Sequence, residues 1–482
     1  MTQHPPATHG RTELRGLRQL PASRLSQGRF GRMFPRLPAL RADDERLEKI
    51  AATMAETAPR DPADDNERIP SGYSYLGQFI DHDVTFDPVS TLIRRSDPDV
   101  LTDFRSPRFD LDNVYGRGPR DQPYLYDARD PGMMLVDRHD DELDLPRNSQ
   151  QVALIGDPRN DENIFVMHLQ LTMLLFHNEV LRRLRRGEFA DVIKAGEELA
   201  DAAQRIVRWH YQWVVVHDFL RRVVGEHTLD DVLRREPLLA GCTEVEQVKL
   251  RFFRWKHEIF MPVEFSVAAY RFGHSMIRAG YKLNTIVPPL PIFTPEPARD
   301  NPLAHFGGFR TLPPFWQIEW ARFFPGLGDA ALLQPARRID TQLAPPLLDM
   351  PPEQVAAGTR NLALRNLTRG VRLGLPSGED VARAMGVPPL SPSDLGIPAE
   401  GGTPLWFYLL RESRVLAEGR HLGPTGGRIV AEVLLGLLAD DPSSYLRVDP
   451  GWRPFLPSTD AGDFTMPDLI RFTGFGLTPI TG

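Results

Sequence analysis

Apolar residues at helical spacing dominate this chain. Patterns with a repeat near 3.6 residues run over about 161–186, 198–224, 264–280, 378–385, 404–417 and 426–439. The first of them, ENIFVMHLQLTMLLFHNEVLRRLRR, is the most apolar. Strand-like alternation is scarce, and neither an internal repeat nor a low-complexity tract is present. Residues 1–65 lack sustained periodicity and are rich in Arg, Pro and Ala, which predicts an extended arm on the body, with one helix near Asp43 to Glu56. Residues 66–482 predict one mostly helical domain, with a split near 290–310 left open. Prolines number 45 and concentrate around 286–315 and 345–352, so long ordered loops should join the helices there.

Composition narrows the class. The chain has 482 residues, 41% hydrophobic and 25% charged, enough for a sizeable core. A net charge of −7 argues against a general nucleic-acid binder. The basic run Arg182, Arg183, Arg185 and Arg186 ends an apolar pattern, where it complements a helix C-terminus. Cys242 is the only cysteine, so no intramolecular disulfide forms. The first twenty residues have no apolar core, and no run of about 18 apolar residues occurs, so neither a secretory signal nor a membrane span is expected. Cytoplasmic residence is the default expectation.

Five polar clusters interrupt the apolar pattern. In Gly77-Gln78-Phe79-Ile80-Asp81-His82-Asp83, helical periodicity puts Gln78, Asp81 and His82 on one face, while Asp83 points roughly 100° away from His82. Two sites can share such a turn, although a lone histidine there is most often structural. Gly156-Asp157-Pro158-Arg159-Asn160-Asp161-Glu162 leads into the most apolar helix. Asn160 or Asp161 suits an N-cap, and the bland reading has Glu162 completing the cap with Arg159 paired to it. In Tyr270-Arg271-Phe272-Gly273-His274, Gly273 leaves room for something flat beside the backbone. Asn366, within Asn361 to Gly370, has two roles open to it: a cap, or acceptor of an imidazole N–H that fixes the ring. Ser106, Asp110 and Asp112, with the Arg108 carbonyl, present hard oxygens at alternating positions, as a Ca²⁺ loop requires, though the spacing is not that of an EF-hand. Without Asp83 the same loop reads as an ordinary acidic turn.

In this order, GQFIDHD, SPRFDLDNVYG, GDPRNDE, YRFGH and NLALRNLTRG resemble the animal-type, myeloperoxidase-like haem peroxidases of the peroxidase–cyclooxygenase superfamily. The likeness runs from about Gly72 to Leu469, including His421 to Val433, and the short disulfide-free form is similar to bacterial members. It implies a mainly α fold: a single large helical haem-peroxidase domain with little β structure and long ordered loops. By motif, His82 resembles the distal histidine, Arg159 the distal arginine and Gln78 a lining residue of that pocket. His274 resembles the iron ligand and Asn366 its partner, while Arg271 and Arg369 match residues near the haem propionates. Asp81 and Glu162 match carboxylates that form ester bonds to haem b, and Asp83, Ser106, Arg108, Asp110 and Asp112 match the calcium loop.

The implied activity is reduction of hydrogen peroxide and oxidation of halides, thiocyanate or small aromatic donors. Neutral His82 takes a proton from peroxide and returns it to the departing oxygen, while Arg159 stabilises the developing charge. Asn163 follows Glu162 where myeloperoxidase has a methionine, so a third, sulfonium link is excluded. After Arg369 the run Gly370 to Gly374 also departs from the mammalian Arg-Asp-His pattern. One rival is a fatty-acid dioxygenase of the same superfamily, which needs a tyrosine three residues before the proximal histidine, where this chain has Arg271. Others are a non-catalytic calcium-binding interaction protein, and a non-haem metalloenzyme using His177 to Glu179, which lacks the i, i+4 histidine pair of a zincin helix.

Overall fold

The computed structural model describes residues 28–56, 64–85, 102–103, 106–139, 142–237, 244–294, 301–351, 355, 358–397 and 401–479. Cys242 and residues 1–27 and 57–63 of the arm lie outside them. The remainder of the arm begins with a strand, Gly28–Gly31, parallel to Met261–Pro262 and antiparallel to Thr102–Asp103. Buried Glu264 accepts from the Met33 and Phe34 backbone N–H groups at 2.9 and 3.0 Å, pinning this segment to the body. Helix α1 (Asp44–Thr53) follows, with Asp43 as its N-cap, and buries Leu47, Ile50 and Ala51 along one face.

Fold class is as the resemblance implies: mainly α, with only two- and three-stranded sheets among the described residues. Helix α2 (Gly72–Val84) carries the GQFIDHD turn. It packs on α3 (Ile164–Arg185), which is buried along nearly its whole length. By length and composition α3 is the one described helix able to cross a membrane, but 89% of its most apolar window is buried within the protein, so it is a core helix. Its C-terminal arginines bond to Glu179, Glu188 and Asp130, as a helix end rich in carbonyl dipoles favours. Helix α4 (Leu199–Trp213) lies against α3 and runs on through a π-turn, Val214–Leu220. Three further helices, α5 (Leu362–Arg372), α6 (Leu405–Ala417) and α7 (Pro424–Asp440), build the other side. Thr425 and Gly426 at the start of α7 donate to buried Glu412 of α6, which binds the two helices end to side.

Two helix expectations need correction. The pattern over 264–280 is wound as a π-turn, Glu264–Ala268, and a 3₁₀-helix, Ala269–Met276, and ends in the short strand Gly280–Tyr281. Nor does Asn160 or Asp161 cap α3. Pro158–Asp161 form their own 3₁₀-turn capped by Asp157, and the chain then extends at Asn163, whose side chain accepts from Phe165 and Val166 N–H. Between 277 and 361 the described chain is mostly loop, with short 3₁₀-turns and the short strands Gly280–Tyr281, Leu290–Pro291 and Pro335–Arg337, the form its prolines favour.

Candidate active site

A cavity of about 340 Å³ opens between these elements. Helix α2 supplies Gln78, Asp81 and His82, the 3₁₀-turn before α3 supplies Arg159, and the residue that ends that turn is Glu162. The 269–276 segment supplies Arg271, Gly273 and His274, and α5 supplies Arg365. Apolar walls come from Phe219, Phe272, Met276, Phe293, Leu347 and Leu362. Phe219 sits in the π-turn after α4, where an extra residue per turn re-aims side chains.

His82 is buried, and its Nδ1 lies 2.7 Å from Asn160 Oδ1. Burial, reinforced by the Arg159 guanidinium, pushes its pKa down to about 4, so the ring is neutral at pH 7. Arg159 is tied down on three sides. Its Nη2 donates to Asp157 at 2.7 Å, to the Thr85 carbonyl at 2.7 Å and to the His82 carbonyl at 3.1 Å. The pairing of Arg159 with Glu162 is therefore replaced by one with fully buried Asp157. Glu162 instead meets the Gln78 amide nitrogen, and Gln78 accepts from Asn163 Nδ2 at 3.1 Å. Burial raises the Glu162 carboxyl to about 7. Asp81 accepts from the Thr85 hydroxyl at 3.0 Å.

Asn366 Nδ2 lies 2.9 Å from His274 Nδ1. Asn366 sits inside α5, whose N-cap is Asn361, so the capping role for Asn366 falls away. The amide's two ends are near-isosteric, and with Oδ1 turned to the ring it accepts the Nδ1 proton and leaves Nε2 to the cavity. Burial and the nearby Arg271 charge lower the His274 pKa to about 3. A Cβ added at Gly273 would meet nothing within 4 Å, so open space borders the backbone beside this imidazole. Arg271 is held by its Nε–H to the Ser266 carbonyl at 2.8 Å, and its own carbonyl accepts from Trp406. Arg365, which the motifs did not single out, lies on the cavity wall, whereas Arg369 one turn later is not among the lining residues.

A second cluster lies on the far side of α2. One carboxylate oxygen from each of Asp83, Asp110 and Asp112 falls within 4.8 Å of the others, and Asp83 is fully buried. Ser106 donates to Asp110 at 2.6 Å, and the Arg108 N–H donates to the Ser106 carbonyl at 2.8 Å. Loss of solvent raises Asp110 above the usual carboxylate range. Between the two loop aspartates, Leu111 takes a left-handed conformation (φ 59°) with its side chain fully buried. Oxygens sharing one Ca²⁺ at ~2.3–2.6 Å lie within ~5 Å of each other, which this donor set meets. The HNE triplet at His177 is structural: His177 bonds Tyr115 and the Gly132 carbonyl, Asn178 holds Met134, and Glu179 pairs with arginines.

Arg159, His82 and half-buried His274 line one cavity and, with open space at Gly273, form a donor set suited to a flat, iron-bearing macrocycle. A family model described as animal haem peroxidase matches residues 101–394. The chain belongs to the animal haem peroxidase family. Peroxidase A from Dictyostelium discoideum is similar in structure over 95% of this chain and 95% of its own, at 15% identity and a TM-score of 0.65. The fatty acid alpha-dioxygenase of Oryza sativa is similar over 86% of this chain and 77% of its own, at 16% identity and a TM-score of 0.57. For the Arabidopsis thaliana enzyme the shares are 86% and 74%, the identity 14% and the TM-score 0.55. At such identities the likeness is one of fold. No curated protein sequence matches the chain.

Proposed function

We propose that this protein is a haem peroxidase that reduces hydrogen peroxide and oxidises halides, thiocyanate or small aromatic donors. The observation that carries the reading is a neutral, buried His82 beside an anchored Arg159 in the same cavity as His274. In this reading His274 Nε2 would hold the iron, Asn366 would fix the ring, and Arg271 and Arg365 would offer guanidinium groups to the propionates. Bound haem supplies a redox-active iron within reach of peroxide. His82 then takes the peroxide proton at Nε2 and returns it to the departing oxygen, and Arg159 directs a fixed positive charge toward that oxygen. Asp81 and Glu162 line the cavity and are the candidates for ester bonds to the haem; Asn163 has no sulfur for a third link.

Calcium belongs to the same reading. Asp83, Asp110, Asp112, the Ser106 hydroxyl and the Arg108 carbonyl are its proposed ligands, and a cation there steadies α2 from the side away from His82. The dioxygenase reading shares the fold but needs a tyrosine at position 271. In the 3₁₀ winding of 269–276, residues i and i+3 eclipse, so Arg271 rather than Tyr270 stands over His274. A steady-state panel of peroxide with halides, thiocyanate and phenols, run beside oxygen uptake with a long-chain fatty acid, separates the two. Donor oxidation dependent on peroxide supports the peroxidase, and oxygen uptake without halide or peroxide overturns it.

A further inference from the structure

His82 does not stop at Asn160. Asn160 Nδ2 donates to Gln170 Oε1 at 2.8 Å, and Gln170 Nε2 donates to the Asn113 main-chain carbonyl at 3.1 Å. Asn113, Asn160 and Gln170 are all fully buried, so water does not interrupt the chain. Its polarity has one solution. A carbonyl oxygen only accepts, so Gln170 must turn its NH₂ to Asn113 and its oxygen to Asn160. Asn160 must then donate to Gln170 and accept from His82, which obliges His82 to carry its proton on Nδ1 and leaves Nε2 bare.

We propose that Asn160 and Gln170 are positioning residues that, anchored on the Asn113 carbonyl, lock His82 in the tautomer able to take a proton from peroxide. The anchor is itself fixed. Gly156 packs so closely that a Cβ there would stand 2.2 Å from the Asp112 carbonyl oxygen and 2.6 Å from that of Asn113. The loop bearing Arg159 and Asn160 thus rests directly on the loop bearing Asp110 and Asp112. Three separate stretches of chain, the 106–116 loop, the 3₁₀-turn and α3, converge on one imidazole nitrogen. The functional value of this tautomer rests on the peroxidase reading, but the tautomer itself does not.

The test uses haem-loaded protein in its diamagnetic ferrous carbon-monoxide form, with ring-¹⁵N histidine and His82 assigned by a His82→Gln control. The wild type should show a protonated Nδ1 and a bare Nε2. Asn160→Ala should mix the tautomers and slow the peroxide reaction about tenfold, the weight of one buried hydrogen bond, at unchanged haem content. Gln170→Leu, which leaves His82 and Asn160 in place but removes the anchor, should shift the tautomer in the same direction and serves if Asn160→Ala does not fold. A wild-type His82 protonated on Nε2 overturns the proposal, as do tautomers unchanged in both variants. Protein that ignores peroxide yet shows the Nδ1–H tautomer sinks the peroxidase reading and leaves the relay standing.

Discussion

Removing the cation proposed at Asp83, Asp110 and Asp112 should destabilise the protein by several kcal/mol. Three carboxylates with oxygens within 4.8 Å of one another repel by ~3.5 kcal/mol per pair at an effective dielectric near 20, or ~10 kcal/mol for three pairs. Protonating one aspartate relieves two of those pairs but costs ~4 kcal/mol at pH 7, so the empty site carries a penalty of ~8 kcal/mol. With an unfolding entropy of ~2.1 cal/mol/K per residue, a chain of 482 residues loses ~1 °C of Tm per kcal/mol, hence about 8 °C on chelation. The assay is scanning calorimetry of haem-loaded protein with calcium and with a chelator, the calcium content of each sample verified by elemental analysis. Asp83→Asn removes two of the three repelling pairs, so its response to chelator should fall to less than half. A verified calcium-free wild type melting within about 1 °C of the calcium-bound form refutes this reasoning.

Other consequences follow from the buried histidines. His274→Ala should lose or disorder the haem, seen as a weakened or shifted Soret band, because no other imidazole lines that cavity besides His82 among the described residues. His168 and His177 are lowered by burial to about 4 and His210 to about 3, so each is neutral when folded and binds a proton only on unfolding. Their contribution is complete above the unfolded value near 6.5 and is lost as pH falls toward 4, with a slope of up to ~4 kcal/mol per pH unit. Denaturant unfolding from pH 7 to 4 measures it, and a flat stability over that range contradicts it. Gly156→Ala should destabilise the protein and displace the Arg159 loop, because the new Cβ meets the Asp112 carbonyl; thermal melting and the haem spectrum report both.

What the sequence made legible was the chemistry carried by contiguous motifs. The GQFIDHD turn is helical, and it divides its polar residues between two sites much as periodicity predicts: Gln78, Asp81 and His82 line the cavity, and Asp83 joins the carboxylate cluster. Contacts between segments far apart in sequence were not legible. Asp157 rather than Glu162 holds Arg159, since an N-cap aspartate can fold back on a residue two positions along, a geometry that spacing alone does not distinguish from i, i+3 pairing. Asn160 and Gln170 drew no signal of their own: one looks like a cap, and the other like a polar interruption in the apolar face of α3. A polar side chain at a position otherwise reserved for core was the available clue, since burial of an amide demands a partner. The pattern over 264–280 reads as an α-helix because π and 3₁₀ windings satisfy the same apolar spacing over one or two turns. Arg365 and Arg369 lie one turn apart on α5, and spacing alone does not tell which of them lines the cavity; it is Arg365.

The most direct test of the account is a stopped-flow comparison of haem-loaded wild type and His82→Ala reacting with hydrogen peroxide at neutral pH. The wild type should change its Soret band rapidly and in proportion to peroxide concentration, and the variant should keep its haem but react about 10²–10⁴-fold more slowly, the usual weight of a positioned acid–base group. A wild type inert to peroxide, or a variant as fast as the wild type, contradicts the claim that His82 activates peroxide in this cavity.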